Sequence, residues 1–251
     1  MQLSSVRSAV EQLFLPAECL LCHALLSQRD ANRLVCPVCR QRWRAVRPPW
    51  CERCGQPEPH FGPCRLCNQW PSALKSVRSA AWLDHNARPA VHALKYGGLP
   101  RIADDLTAVM AQLRPPSDGP SVLIPIPLAT KRLRQRGYNQ SEVLARALAR
   151  EWGGRIPVLV TLLVRTRETP TQTALTPETR LANVAGAFGV RNAKCGMRNF
   201  AFRLSSFELI LVDDVFTTGA TLAEAARALE QAGARRIYGV TFARAAIPDF
   251  S

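Results

Sequence analysis

Two adjacent acids, Asp213 and Asp214, followed by Thr217, Thr218, Gly219, Ala220 and Thr221, are the residues whose types and spacing most clearly suit chemistry. Short hydroxyl side chains and a glycine at a helix start expose a cradle of backbone N–H groups, which suits a phosphate. Carboxylates just ahead of such a cradle suit the paired hydroxyls of a ribose, or a metal carried by the ligand. Together they describe a site for a phosphorylated sugar. The apolar run Leu209-Ile210-Leu211-Val212 predicts a parallel strand covered on both faces that ends at the acids. A helix over residues 222–232, stopped by Gly233, follows the cradle. The competing explanation is a βα turn with N-capping threonines, common in any doubly wound sheet.

A second group of reactive residues lies near the start of the chain. Eight of the nine cysteines form four Cys-x-x-Cys hooks: Cys19/Cys22, Cys36/Cys39, Cys51/Cys54 and Cys64/Cys67. Two-residue spacing lets both thiolates face one tetrahedral ion, and two hooks close a four-cysteine zinc site with no open position for catalysis. The simplest partition joins the first two hooks and then the last two, as tandem zinc ribbons. The spacing equally permits alternate hooks to pair. A disulfide framework would need an oxidising compartment. Residues 1–14 carry Leu3, Val6, Val10, Leu13 and Phe14 at helical spacing, interrupted by Glu11 and Gln12, which predicts a short amphipathic helix rather than a secretory signal. The expectation is a cytoplasmic protein with structural zinc. Cys195 stands alone and reads as an incidental thiol.

The ribbons are staples for segments too short to bury a core by themselves. They also carry Arg29, Arg33, Arg40, Arg42, Arg44, Arg47, Arg53 and Arg65 beside Trp43, Trp50, His60 and Trp70, a composition that suits stacked bases and phosphates as well as a miniature core. The whole chain of 251 residues has a net charge of +14, and 29 of its 33 basic residues are arginine. Two zinc–tetrathiolate sites at about −2 each leave the excess near +10. Arginine's planar fork matches phosphate and carboxylate, so polyphosphates and nucleic acid are favoured partners, although a GC-rich coding sequence enriches arginine equally well. No apolar run approaches the ~20 residues that cross a bilayer, so no membrane insertion is expected.

The elements that must position these residues follow from periodicity. A domain boundary is expected near Pro71, dividing residues 1–70 from 71–251. Helices are predicted over 88–94, 100–113, 141–152 and 177–184, and strands over 121–124, 158–164, 187–190 and 236–242. Residues 121–124 read as the first strand of the sheet, and residues 191–206 have no clear period. Gly97 and Gly98 allow unusual backbone angles near a ligand. Lys131-Arg132-Leu133-Arg134-Gln135-Arg136-Gly137-Tyr138-Asn139-Gln140 reads as a basic turn beyond a strand end, where open α/β sheets bind ligands, leading into the helix at Ser141. Alternating strands and helices give an α/β, doubly wound parallel sheet.

The run from 209 to 221 resembles the phosphoribosyl pyrophosphate signature of type I phosphoribosyltransferases, an agreement far more specific than a glycine loop. The resemblance implies that Asp213 and Asp214 contact the ribose 2′- and 3′-hydroxyls and that residues 217–221 hold the 5′-phosphate. It implies pyrophosphate contacts, for which Arg132, Arg136 and Lys95 are candidates, and Mg²⁺ bound with the ligand. It also implies a mobile loop over the site, for which the polar stretch with Arg165, Arg167 and Gln172 is the best match. Over nearly its whole length the chain resembles the competence protein F family. The resemblance rests on the double ribbon, Leu94-Lys95-Tyr96, Ile124-Pro125-Ile126-Pro127, Arg136-Gly137-Tyr138-Asn139-Gln140, Thr171-Gln172-Thr173, Arg180-Leu181-Ala182-Asn183-Val184, Ala187-Phe188 and the signature. The expected fold is then a sheet of the type I phosphoribosyltransferase kind behind a small double zinc-ribbon domain. The family implies a role in DNA uptake or in use of the imported DNA. Two functions compete: an enzyme that binds phosphoribosyl pyrophosphate or a nucleotide and transfers the phosphoribosyl group to an unassigned acceptor, and a non-catalytic adaptor that holds single-stranded DNA beside DNA-uptake proteins.

Overall fold

The parallel strands form where apolar runs are buried on both faces. The computed structural model describes residues 17–57, 63–114, 119–167, 185–191 and 204–246. Four strands, β1 (Leu74–Trp82), β2 (Ser121–Pro125), β5 (Glu208–Phe216) and β6 (Arg236–Arg244), make one all-parallel sheet in the order β1-β6-β5-β2. Two short strands, β3 (Leu163–Arg165) and β4 (Phe188–Val190), pair antiparallel in a separate ribbon. Among the described residues six α-helices accompany them: α1 (Pro37–Gln41), α2 (Arg88–Tyr96), α3 (Ala103–Met110), α4 (Thr130–Arg136), α5 (Gln140–Glu151) and α6 (Ala220–Gln231).

Alternate side chains of each strand feed two cores. Leu123, Ile210, Val212, Val240 and Phe242 pack on α2, α3 and α5, whereas Val122, Ile124, Leu209, Leu211 and Ile237 pack on α6 and on Leu163 and Phe188 of the small hairpin. The cysteine modules divide the same way. Cys19, Cys36, Cys39 and Trp43 join the first core, and Cys54, Cys67 and Trp70 join the second, so the two modules sit on opposite faces of the sheet. The chain between them crosses the β1 edge. There Trp82 N–H donates to Arg44 O, Val46 N–H to Ala80 O, and Val77 N–H to Arg53 O. An otherwise open strand edge is thereby paired.

Three expectations are corrected. The sheet begins at β1, not at residue 121; Lys75, Ser76, Arg78 and Ser79 break the apolar pattern of β1, and it is held instead by parallel pairing and by a buried 2.7 Å hydroxyl contact between Ser79 and Thr241 on β6. The expected strand over 158–164 is two pieces. Val158 bridges Leu123 in parallel, and only residues 163–165 form a strand, paired with β4. Pro157 next to that bridge has no N–H to continue a ladder. The first part of the basic turn, residues 131–136, lies in helix α4, closed by Gly137 at φ 80°. The expected elements at 1–14 and 177–184, Gln172, Cys195 and most of the 191–206 segment lie outside the described residues.

Candidate metal centres and anion cavity

The hooks pair consecutively. Cys19, Cys22, Cys36 and Cys39 bring their sulfurs within 4.8 Å of one another, as do Cys51, Cys54, Cys64 and Cys67. The Cys22–Cys36 and Cys51–Cys67 sulfurs lie 3.7 Å apart, and Cys54–Cys64 3.6 Å. A tetrahedral ion bonded to sulfur at about 2.3 Å holds its ligands about 3.8 Å apart, so both sets have the dimensions of a zinc site. Backbone N–H groups of Leu21 and Cys36 donate to Cys19 Sγ, and that of Cys39 to Cys36 Sγ, the support that thiolates need. Burial opposes ionisation of Cys19, yet these N–H donors outweigh it and bring the thiol down to about 7. Burial, and then the crowding of neighbouring sulfurs, pushes Cys39 and Cys54 far above the ordinary thiol range. Four such sulfurs ionise together only around a cation, and zinc bound there is structural because no ligand position stays open.

The acids emerge at the C-terminal end of β5, the edge where open α/β sheets take their ligands. Beside them opens a cavity of about 640 Å³, lined by Lys95, Arg132, Arg136, Arg165, Asp213, Asp214, Thr217 and Thr221, with Tyr96 at its lip. Four cations against two acids make it attractive to anions. The first turn of α6 adds N–H groups with no partner inside the helix. Thr218, Gly219 and Ala220 form the bend without lining the cavity: Thr218 is buried, and Gly219 at φ 77° caps α6. Lys95 Nζ stands 3.1 Å from Asp214 Oδ2, so its charge is committed to the acid pair as well as to the cavity. Burial pulls the Lys95 ammonium down, but the Asp214 carboxylate more than offsets it and holds the pKa above the usual lysine range. Arg167 lies on the exposed rim, where it donates to Ala185 O, outside the lining. Arg165 lies in β3 and reaches the cavity from across it, with its guanidinium 5.3 Å from the Phe188 ring.

The stretch from Gly137 to Ser141, the end of the basic turn expected near the ligand and the start of the next helix, builds much of the site through contacts its sequence did not disclose. Tyr138 donates its hydroxyl to Leu94 O and fixes the end of α2 that carries Lys95. Asn139 caps α5 by accepting from Ser141 N–H, and its amide donates to Ile126 O at the end of β2. Arg136 donates to Gln140 Oε1 at 2.6 Å, which fixes the guanidinium at the mouth. Ser141 Oγ donates to Asp213 Oδ1 at 2.9 Å, and Asp214 N–H donates to the same oxygen. Burial pushes Asp213 up to about 7, and Asp214's charge adds to it against Lys95 and the two donors. The available signal was the hydroxyl at Ser141 two residues after a capping Asn, at a helix start beyond a strand end. A second hollow, of about 370 Å³ at the opposite edge of the sheet, holds Glu230, but that carboxylate is engaged by Ser72 Oγ and Ala73 N–H.

Comparison with known proteins extends these observations. A family model described as a double zinc ribbon domain matches residues 10–68. The chain is 31% identical over 232 residues to DNA utilization protein YhgH of Salmonella typhimurium, which covers 90% of this chain and 96% of the relative. Competence protein ComFC of Bacillus subtilis is 29% identical over 234 residues, 86% of this chain and 89% of the relative. Competence protein F of Haemophilus influenzae is 37% identical over 126 residues, about half of each chain. With its paired four-cysteine sites and relatives matched almost end to end, the chain belongs to the competence protein F family.

Proposed function

We propose that this protein binds phosphoribosyl pyrophosphate, or a nucleotide through its 5′-phosphate, in a sheet of the type I phosphoribosyltransferase kind, and that this serves the use of imported DNA. The observation that carries the reading is the cavity itself, where an acid pair, four cations and the start of α6 converge at one strand edge. Asp213 and Asp214 accept the ribose hydroxyls. The N–H groups of the 217–221 bend hold the 5′-phosphate, and Arg132 and Arg136 face the pyrophosphate. Mg²⁺ carried with the ligand neutralises part of the pyrophosphate charge. In a transfer reaction the sugar carbon becomes cation-like as pyrophosphate departs, and donors fixed in advance stabilise the departing anion. Positioning of this kind supplies several kcal/mol without a protein nucleophile. The relatives' names, DNA utilization protein and competence protein, support the link to imported DNA. As part of this reading the protein works in the cytoplasm, where reduced thiols favour zinc over disulfides. No helix among the described residues is long and apolar enough to cross a membrane. Isothermal titration with phosphoribosyl pyrophosphate and Mg²⁺ tests the proposal: saturable heat is expected, and none at about 1 mM ligand overturns it.

A second reading draws on a different observation. Arg44 lies 5.3 Å over the Trp82 ring and Arg78 5.2 Å over Trp50, each pair joining β1 to the segment that crosses its edge, in a chain of net charge +14. Arginine–tryptophan pairs on a basic surface suit single-stranded DNA, with the ribbons as an adaptor beside DNA-uptake proteins. A gel-shift series over rising salt tests it, and absence of a shift at the lowest salt rejects it. The double substitution Asp213→Ala/Asp214→Ala separates the two readings, since it removes sugar-phosphate binding and spares DNA affinity.

A further inference from the structure

The face of the sheet that bears the second four-cysteine site also carries an unusual side chain. Arg244, at the end of β6, is only 1% exposed and has no carboxylate partner among the described residues. It donates to Cys54 O at 2.8 Å and to Gln56 Oε1 at 2.6 Å, both within or next to the third hook, and its Nε has no partner. Its guanidinium lies 4.2 Å from the centre of the Phe216 ring, its register partner on β5 and the residue immediately before the phosphate bend. An isolated buried cation is costly, and burial is tolerated where opposite charge lies close. A loaded tetrathiolate site carries about −2, and Cys54 belongs to it.

Trp70, three residues beyond Cys67, makes the second contact. Its ring meets Phe216 edge-on with centroids 6.1 Å apart. A Cβ placed on Gly219 would lie 2.4 Å from Trp70 Cζ2 and 2.8 Å from Phe216, so the bend rests directly on these rings. Arg53, inside the same hook, fixes that arrangement by donating to the carbonyls of Cys67, Trp70, Pro71 and Leu74. The first four-cysteine site lies on the other face and is tied to α3 through Arg40 and Asp105, away from the bend.

We propose that Arg244 and Trp70 are positioning residues through which zinc in the second site, and not in the first, sets the shape of the 217–221 bend. With zinc bound, the third hook is fixed, its Cys54 and Gln56 acceptors hold Arg244 against Phe216, and Trp70 holds Gly219. Without it the four sulfurs lose the ion that ties them together, the hooks that carry the acceptors of Arg244 and Trp70 are no longer held in place, and the floor of the bend is lost. The reading of this bend as a phosphate cradle gives the coupling its functional meaning, but the coupling itself concerns only the order of the bend.

Amide hydrogen exchange of the peptide spanning the bend reads this without any ligand. Zinc content is measured alongside. Cys51→Ser/Cys64→Ser should lose one zinc per chain and raise exchange of the bend at least about tenfold. Cys22→Ser should also lose one zinc but change the bend by less than about twofold. Arg244→Lys keeps every cysteine and the charge but not the reach to both acceptors. It should retain both zinc ions and still raise exchange of the bend, and it decides the matter if the double cysteine variant fails to fold. Unchanged exchange in either second-site variant, or an equal rise in Cys22→Ser, overturns the proposal. Titration with ribose 5-phosphate follows on the same samples. A wild-type protein that does not bind it would sink the sugar-phosphate reading while leaving the exchange result to judge the coupling.

Discussion

At the scale of single residues the decisive group is Asp213. Burial and the neighbouring Asp214 raise it to about 7, so in the free protein it takes up a proton near neutrality. A carboxyl whose pKa is raised by folding contributes stability that is fully present below its unfolded value and is lost as pH rises through the folded one. The free protein should therefore melt at lower temperature as pH rises from about 4 through about 7, and Asp213→Asn should remove that component. Binding of a ribose, whose hydroxyls donate to the ionised carboxylate, should run the other way. Affinity for ribose 5-phosphate should strengthen across the same window, with proton release measurable by titration in two buffers of different ionisation enthalpy. Ser141→Ala removes the hydroxyl that donates to Asp213 Oδ1. It should move the affinity midpoint upward by up to about one pH unit, the worth of one hydrogen bond to a charge. An unmoved midpoint would mean that Ser141 does not support the acid.

At the scale of elements, two joints hold the site. The first is the turn from β5 into α6, where Gly219 takes φ 77° against Trp70 and Phe216. Gly219→Ala adds a strained backbone angle and an overlap with buried rings, and should cost about 2–4 kcal/mol in urea unfolding. A loss under about 1 kcal/mol would show that the rings move aside freely. The second is the seat of α1 on α3. Asp105, fully buried, accepts from Arg40 at 3.0 Å and from Leu34 N–H at 2.9 Å. Asp105→Ala leaves the Leu34 N–H without its acceptor and Arg40 with Asp30 alone, at 3.4 Å, and should cost about 2–3 kcal/mol. Most elements were legible in the sequence: β2, β5, β6, α2, α3, α5 and α6 follow from apolar runs, caps and stops. β1 was not, because Lys75, Ser76, Arg78 and Ser79 erase the alternation that marks a strand, and its stability comes from β6 and from the segment crossing its edge.

At the scale of the whole molecule, the two cysteine modules clasp one edge of the sheet from opposite faces. Each brings a tryptophan to the core on its own face, Trp43 edge-on to Phe242 at 5.0 Å and Trp70 to Phe216. Zinc binding is then folding energy for the sheet as well as for the ribbons. The protein should contain two zinc ions per chain, and strong chelation should lower its melting temperature and expose the β1 edge to aggregation. Chelation that removes both ions without a change in melting would mean that the ribbons fold independently of the sheet. The basic surface makes a further prediction: any affinity for single-stranded DNA should fall steeply with salt, since phosphate contacts release counterions.

The amino-acid order alone determined the pieces whose physics is local. Four Cys-x-x-Cys hooks state a ligand set, because two residues are what a hook needs to aim both sulfurs at one ion. The acid pair and hydroxyl bend state a strand end and a helix start, because apolar runs, glycine and threonine act over a few residues. Only the tertiary structure decided how the hooks divide, since spacing permits more than one pairing and the packing of each pair against its own face of the sheet selects the consecutive one. It also decided that Lys95, Arg136, Ser141 and Arg165, from four separate elements, meet around Asp213 and Asp214, and that Arg244 stacks on Phe216 just ahead of the bend. Those meetings join residues up to 190 positions apart, and contacts of that range are set by sheet order and core packing, which leave no periodic trace in the chain.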